Sequence, residues 1–201
     1  MIFKTFIPIS ISLTGLTRSK RILRRIIGVD PGLASTGWGV VEYSRGKLHY
    51  LAHGCIVTGT EKSRGERLLF IYKSFQKILK SYKPSEAALE NLYFGKNISS
   101  AMSVSEARGV LLLALSAQGL MIRELTPNAV KQAVVGVTRA DKKQIQEMVR
   151  LILGLKEIPK PDHAADALAA GICAAHSGSL AHSGSIAHSG KDLNCQGERK
   201  L

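Results

Sequence analysis

Apolar and polar positions divide this chain into short runs of clearly different period. Ile26-Ile27-Gly28-Val29 is an apolar run that stops at Asp30-Pro31-Gly32, the signature of a buried strand ending on an acid and a turn. Thr36–Tyr43 and Leu48–Val57 are rich in β-branched and aromatic residues and are joined by Ser44-Arg45-Gly46-Lys47, which predicts a hairpin continuing from the first strand. Between residues 64 and 82, Leu68, Leu69, Tyr72, Phe75, Ile78, Leu79 and Tyr82 recur at helical spacing, and Pro84 ends the pattern. Ala87-Ala88-Leu89 predicts a second short buried strand, which also stops at an acid, Glu90.

A longer helix is expected from about Ser99 through Ala117, ended by Gly119, and then a strand from Met121 to Leu125. Thr126-Pro127 forms a good N-cap and first-turn pair for another helix. Asp141–Leu153 is again amphipathic, and Pro159-Lys160-Pro161 interrupts before a final helix from Asp162 to about Ala175. That last helix is almost wholly apolar after Asp166, so it must lie against a sheet. Three strands followed by alternating helices and strands predict an α/β fold, a mixed sheet with helices on its faces.

The ends read differently. From Ser177 onward the chain repeats a hexamer, Ala-His-Ser-Gly-Ser-Leu/Ile, starting at Ala175 and Ala181 with a truncated copy at Ala187. Such residues cannot bury a core, so residues 176–201 are expected to be a disordered, low-complexity tail, with weak metal ligation by His176, His182 and His188 as the alternative reading. Residues 1–24 are expected to be an extension, disordered or an artefact of start-site assignment. Their apolar part is broken by Pro8, Ser10 and Ser12, and the basic cluster follows it instead of preceding it. That order argues against a secretory signal and leaves an acid-free transit peptide as the competing reading. The folded domain is therefore expected over residues 25–175, long enough to bury a core without staples.

Charge adds a partner class. Lys and Arg number 28 against 15 Asp and Glu, a net of +13, which points to a polyanion. Residues 1–25 hold six of those cations and no acid, yet the domain itself stays basic. If Asp30, Glu90 and Asp166 are gathered in one site, the rest of the domain is more basic still; a merely solvated basic surface is the alternative. Three cysteines, Cys55, Cys173 and Cys195, are odd in number and without C-x-x-C spacing. They indicate neither a disulfide framework nor a structural zinc, and so a reducing compartment, the cytoplasm. No apolar run approaches the roughly 18 residues of a membrane span.

The chemistry resides in the acids. Asp30 and Glu90 each end a short buried strand, where an ionised carboxylate is costly unless it is paired, bound to a metal or used to cap a turn. If the two strands are parallel neighbours, their ends lie about 4.8 Å apart, which suits two metal ions about 3.5 to 4 Å apart in a phosphoryl-transfer site. Open α/β sheets bind ligands at this end of their strands. His163 and Asp166 share one face of the last helix, and small neighbours, Ala164, Ala165 and Ala167, allow close approach to the sheet. Taken singly, His163 also fits a helix-start histidine, and Asp166 an acid favoured near a helix N-terminus. Asp162 suits that second role better.

Together these residues resemble the RuvC family, bacterial Holliday junction resolvases of the ribonuclease H-like superfamily. The resemblance is carried by Ile27-Gly28-Val29-Asp30-Pro31-Gly32 with Thr36-Gly37, Glu90 followed by Lys96-Asn97, and Ala107-Arg108-Gly109. It continues through Val130-Lys131-Gln132 with Val135-Gly136 and ends in His163-Ala164-Ala165-Asp166-Ala167-Leu168. It implies a ribonuclease H-like fold with a mixed five-stranded sheet. It also implies a dimeric endonuclease, dependent on Mg²⁺ with Mn²⁺ as a substitute, that nicks four-way DNA junctions in pairs during recombination and repair and works with the RuvA and RuvB branch-migration complex. Two ions per subunit would be held by Asp30, Glu90, His163 and Asp166, with Asp30 bridging. Many family members carry Asp where this chain has His163.

The resemblance further implies that Tyr93 stacks on an unpaired junction base, while its neighbour Phe94 is expected to pack inward. Lys131 and Lys142 match positions that contact phosphates near the cut, and Lys96, Arg139 and Lys143 are their neighbours in sequence. Two-fold cutting calls for two sites related by a two-fold axis, and the helix bearing Ala107, Gly109, Val110 and Leu113 is a candidate interface, with core packing as the alternative. Two other classes fit parts of the chain. One is a junction-binding protein without nuclease activity. The other is an actin-like nucleotide-binding domain, because Asp30-Pro31-Gly32 with Thr36-Gly37 also resembles a phosphate-binding hairpin.

Overall fold

The computed structural model describes residues 23–91 and 98–177, with side chains in the second segment described from Ala101 onward. Tyr93, Phe94, Lys96 and Asn97, most of the extension, and the tail with His182, His188 and Cys195 lie outside the described residues.

Five strands form one sheet: β1 (Arg24–Asp30), β2 (Ser35–Ser44), β3 (Lys47–Val57), β4 (Glu86–Glu90) and β5 (Met121–Leu125), in the order β3-β2-β1-β4-β5. β1 pairs antiparallel with β2, and β2 with β3, whereas β1–β4 and β4–β5 are parallel. The mixed five-stranded sheet expected from the sequence is therefore present. Five helices cover it: α1 (Arg64–Tyr82), α2 (Ile98–Ala117), α3 (Pro127–Val135), α4 (Lys142–Ile152) and α5 (Asp162–Ser177).

Local signals explain the helix starts. Ser63 and Glu66 close a capping box on α1, and Asp141 and Gln144 close one on α4. Thr126 caps α3 with Pro127 at its first turn. β1 begins at Arg24 and α5 runs to Ser177, so the ordered elements start one residue earlier and end two later than the expected 25–175.

The two faces of the sheet build separate cores. Ile27, Val29, Val40, Ala87 and Leu89 pack against α1 and α2 through Ile71, Phe75, Ala107, Leu111 and Leu115. Ile26, Val41, Ala88 and Leu125 face α5, α3 and α4 through Leu168, Ile172, Val130 and Val149. α5 is buried along most of its length, as its apolar run requires.

At the start of β1, a charged cluster holds the edges of the structure together. Arg24 pairs with Glu86 and donates to the carbonyls of Ala174 and Ala175, while Arg123 reaches the same Glu86 carboxylate at 3.1 Å. Glu86 is held below the usual carboxylate range by its bond to Arg24, which outweighs its burial, with Arg123 adding to the effect. Among the described residues no helix is long and apolar enough to cross a membrane, and Cys55 and Cys173 are free.

Candidate functional site

Strand register brings the acids together. Val29 of β1 pairs with Leu89 of β4, so the next residues, Asp30 and Glu90, sit side by side at the ends of parallel neighbours. Side chains alternate across a strand. Ala88 and Gly28 face α5, and so do Asp30 and Glu90, two residues further on. Pro31 and Gly32 then turn the chain. That turn is fastened by the buried Thr36 hydroxyl, which donates to the Gly32 carbonyl at 2.7 Å, and by Thr58, which donates to the Leu33 carbonyl at 2.6 Å.

Helix α5 delivers the remaining groups because the sheet is stripped of side chains beneath it. A β-carbon on Gly28 would lie 1.8 Å from the Ala167 carbonyl oxygen, and one on Gly37 would lie 2.0 Å from that of His163. Only glycine lets the helix backbone rest directly on β1 and β2. With the helix seated there, His163 Nδ1 meets Asp30 Oδ2 at 2.6 Å. Asp30, His163 and Asp166 offer ligand atoms all within 4.8 Å of one another. Glu90 stands beside this group, sharing with Asp166 and Lys131 a cleft of about 60 Å³ whose floor is Val130, Ile145 and Ala169.

The electrostatics are those of acids crowded without enough water. Burial raises the Asp30 pKa, and Asp166 adds to the rise, against the opposing pull of His163 and Lys142. Burial likewise raises Glu90, reinforced by the charges of Asp30 and Asp166 and opposed by Lys131. Such strain on carboxylates is relieved by a cation. The donor set, three carboxylates and one imidazole, suits a hard divalent ion.

All four acid-site positions expected from the sequence are therefore brought to one end of the sheet, three in a tight group and Glu90 at its flank. Of the expected DNA contacts, Lys131 lines the cleft, and Lys142 and Lys143 are exposed at the start of α4. Lys142 is not free: its ammonium bridges Asp162 Oδ2 at 3.2 Å and Asp166 Oδ2 at 3.3 Å. Arg139 is exposed nearby in sequence. Tyr93 and Lys96 lie outside the described residues. His176 occupies the last turn of α5, at the far end of the helix from His163.

The candidate interface helix divides between the two readings, core and exposed face. Ala107 is fully buried in the chain's own core and Val110 packs against that core. Met102, Gly109 and Leu113 point outward, with Met102 56% and Leu113 63% exposed. The sequence reading passed over two features, the Asp162–Lys142 pair and the bare glycine floor beneath α5. The glycine signal was available, since Gly28, Gly37 and Gly39 lie inside strand patterns, where glycine marks close backbone approach.

Comparison with known proteins adds a third line. The family model for "Crossover junction endodeoxyribonuclease RuvC" matches residues 26–174. A Treponema denticola protein of that name is 52% identical over 163 residues, covering 81% of this chain and 92% of its own. The solved structure of Thermus thermophilus RuvC superposes with a TM-score of 0.70 at 33% identity, covering 77% of this chain and 96% of that one. The same protein in complex with a Holliday junction substrate gives 0.72, at 33% identity and 77% and 94% coverage.

Proposed function

The chain belongs to the RuvC family of crossover junction endodeoxyribonucleases, and from that membership we propose that it resolves four-way DNA junctions by metal-dependent nicking of two strands. The observation that carries this reading is the convergence of Asp30, His163 and Asp166 within 4.8 Å, with Glu90 alongside. The fold is independent support, since it presents these groups at the carboxyl end of the parallel strands, where α/β sheets bind ligands.

Mg²⁺, with Mn²⁺ as substitute, is the ion class the oxygen-rich donor set favours. When bound, two such ions supply Lewis acidity toward the scissile phosphate and lower the pKa of the attacking water. The chain's own part is positional. Asp30, Glu90 and Asp166 would hold the ions through their carboxylate oxygens, Asp30 as the ligand shared between them. His163 Nδ1 lies 2.6 Å from Asp30 Oδ2; with the shared proton on Nδ1, Nε2 would face outward to ligate a metal ion or to accept a proton from water. Attack with departure of the 3′-oxygen leaves a 5′-phosphate and a 3′-hydroxyl.

Substrate contacts follow from position and charge. Lys131 lines the cleft and Lys142 bridges Asp162 and Asp166; with Lys143, the next residue on α4, they would hold phosphates flanking the cut without reading sequence. Tyr93 and Lys96 follow Glu90 in sequence, and the family role of a stacking aromatic and a phosphate contact is proposed for them. Symmetric cutting requires a homodimer, for which the outward stripe Met102, Gly109 and Leu113 on α2 is the proposed contact. A role in recombination and repair beside RuvA and RuvB, in the cytoplasm, completes the reading.

The test is cleavage of a synthetic four-way junction with and without Mg²⁺, comparing the chain with Asp30→Asn. Metal-dependent nicking that Asp30→Asn loses while still binding the junction is the expected result. Binding by both proteins without nicking by either would favour a non-catalytic junction binder, and equal nicking by both would remove Asp30 from the site.

A further inference from the structure

The first turns of α4 and α5 face one another across a single ammonium group. Lys142 opens α4 immediately after its cap, Asp141, and bridges Asp162 and Asp166 at 3.2 and 3.3 Å. Those two acids are one helical turn apart on α5, so they project to the same side. Asp162 is held below the usual carboxylate range chiefly by Lys142.

The two acids differ in what else they do. Asp166, 28% exposed, shares the close donor group with Asp30 and His163, whereas Asp162, 63% exposed, stands outside it. A metal ion and Lys142 thus compete for the same Asp166 carboxylate. If Asp162 were absent, the lysine would have to rest on Asp166 alone or leave.

We propose that Asp162 is a positioning residue that acts through Lys142, sharing its ammonium with Asp166. The lysine then yields Asp166 to a metal ion yet stays tethered beside the site, ready for a DNA phosphate. This rests on the nuclease reading above and adds a residue that reading does not use. An acid in the first turn of a helix also has an ordinary reason to be there, attraction to the helix dipole. That reason operates without Lys142 and predicts no coupling between the two residues.

Coupling is measured by a double-mutant cycle. Mn²⁺ binding to the full chain is followed by the electron spin resonance of free Mn²⁺ for the unaltered protein, Lys142→Met, Asp162→Asn and the double variant. Loss of the competing ammonium should tighten Mn²⁺ binding about three- to tenfold in Lys142→Met. Asp162→Asn should weaken binding severalfold when Lys142 is present and by less than half that factor when it is not. Junction cleavage at saturating Mg²⁺ should show the same pattern, a severalfold loss of kcat in Asp162→Asn that disappears in the Lys142→Met background.

Equal effects of Asp162→Asn in both backgrounds, or none in either, would overturn the proposal and leave Asp162 a plain surface charge. Thermal denaturation checks that each variant is folded, and Asp162→Ala repeats the cycle should the amide variant unfold. If the unaltered protein binds Mn²⁺ but cuts no junction, the nuclease reading fails while the Mn²⁺ cycle still decides the role of Asp162.

Discussion

Adding one methyl group at Gly37 tests whether the site depends on α5 resting directly on the sheet. A β-carbon there would lie 2.0 Å from the His163 carbonyl oxygen, 2.3 Å from its carbon and 2.9 Å from its Cβ. The obstacle is mostly backbone, so no rotamer change relieves it. Ordinary contact begins near 3.4 Å, so the first turn of α5 must withdraw by about 1.4 Å, which breaks the 2.6 Å contact between His163 and Asp30. Misplacing a reacting constellation by about 1 Å costs roughly 100-fold in rate.

Overpacking of this kind costs about 1–3 kcal/mol of stability, or roughly 2–12 °C in thermal midpoint for a domain of this size. Gly37→Ala should therefore fold at 25 °C and bind a four-way junction within a fewfold of normal. Single-turnover cleavage should fall about 100-fold. Gly65→Ala is the control, because a β-carbon at Gly65 meets nothing within 4 Å; it should cleave normally. Cleavage by Gly37→Ala within threefold of normal, with an unchanged thermal midpoint, would refute the claim that this contact sets the site.

Two further outcomes follow from burial and exposure. Glu90 has a raised pKa from burial and from the charges of Asp30 and Asp166, so its ionised form opposes folding of the metal-free chain. Glu90→Gln should raise the metal-free thermal midpoint at pH 7. The gain should shrink as pH falls through the raised pKa toward the usual Glu value, below which both states hold the proton; a midpoint that drops at pH 7 contradicts this. The proposed dimer, if it packs through α2, should dissociate in Leu113→Glu. Each buried leucine contributes at least about 1.5 kcal/mol, counted twice across a two-fold axis, so dissociation should increase about 100-fold or more by analytical ultracentrifugation. An unchanged dimer would move the interface elsewhere.

Much of the fold was legible because local signals and period agreed. The helix read over residues 64–82 is α1 to the residue, bounded by Ser63 and Pro84, and β5 matches the expected Met121–Leu125. The acids were legible as a pair because each ends an apolar run, and parallel pairing of β1 with β4 then placed them side by side.

What escaped depends on contacts distant in sequence. Arg24 was expected to belong to the extension of residues 1–24, but it opens β1, where Glu86 and the carbonyls near the end of α5 pair with it. α2 is apolar around most of its circumference, so period could not say whether Ala107 or Leu113 faced the core. The Lys142 bridge to Asp162 and Asp166 arises only because α4 packs against α5, about 20 residues on.

The most direct test of the central claim is a strand-by-strand cleavage map of a mobile four-way junction in Mg²⁺. Paired nicks at symmetry-related positions, 5′-phosphate ends, and no product when the metal is chelated are the expected result. Nicking of a single strand, or cutting that persists in chelator, would contradict it.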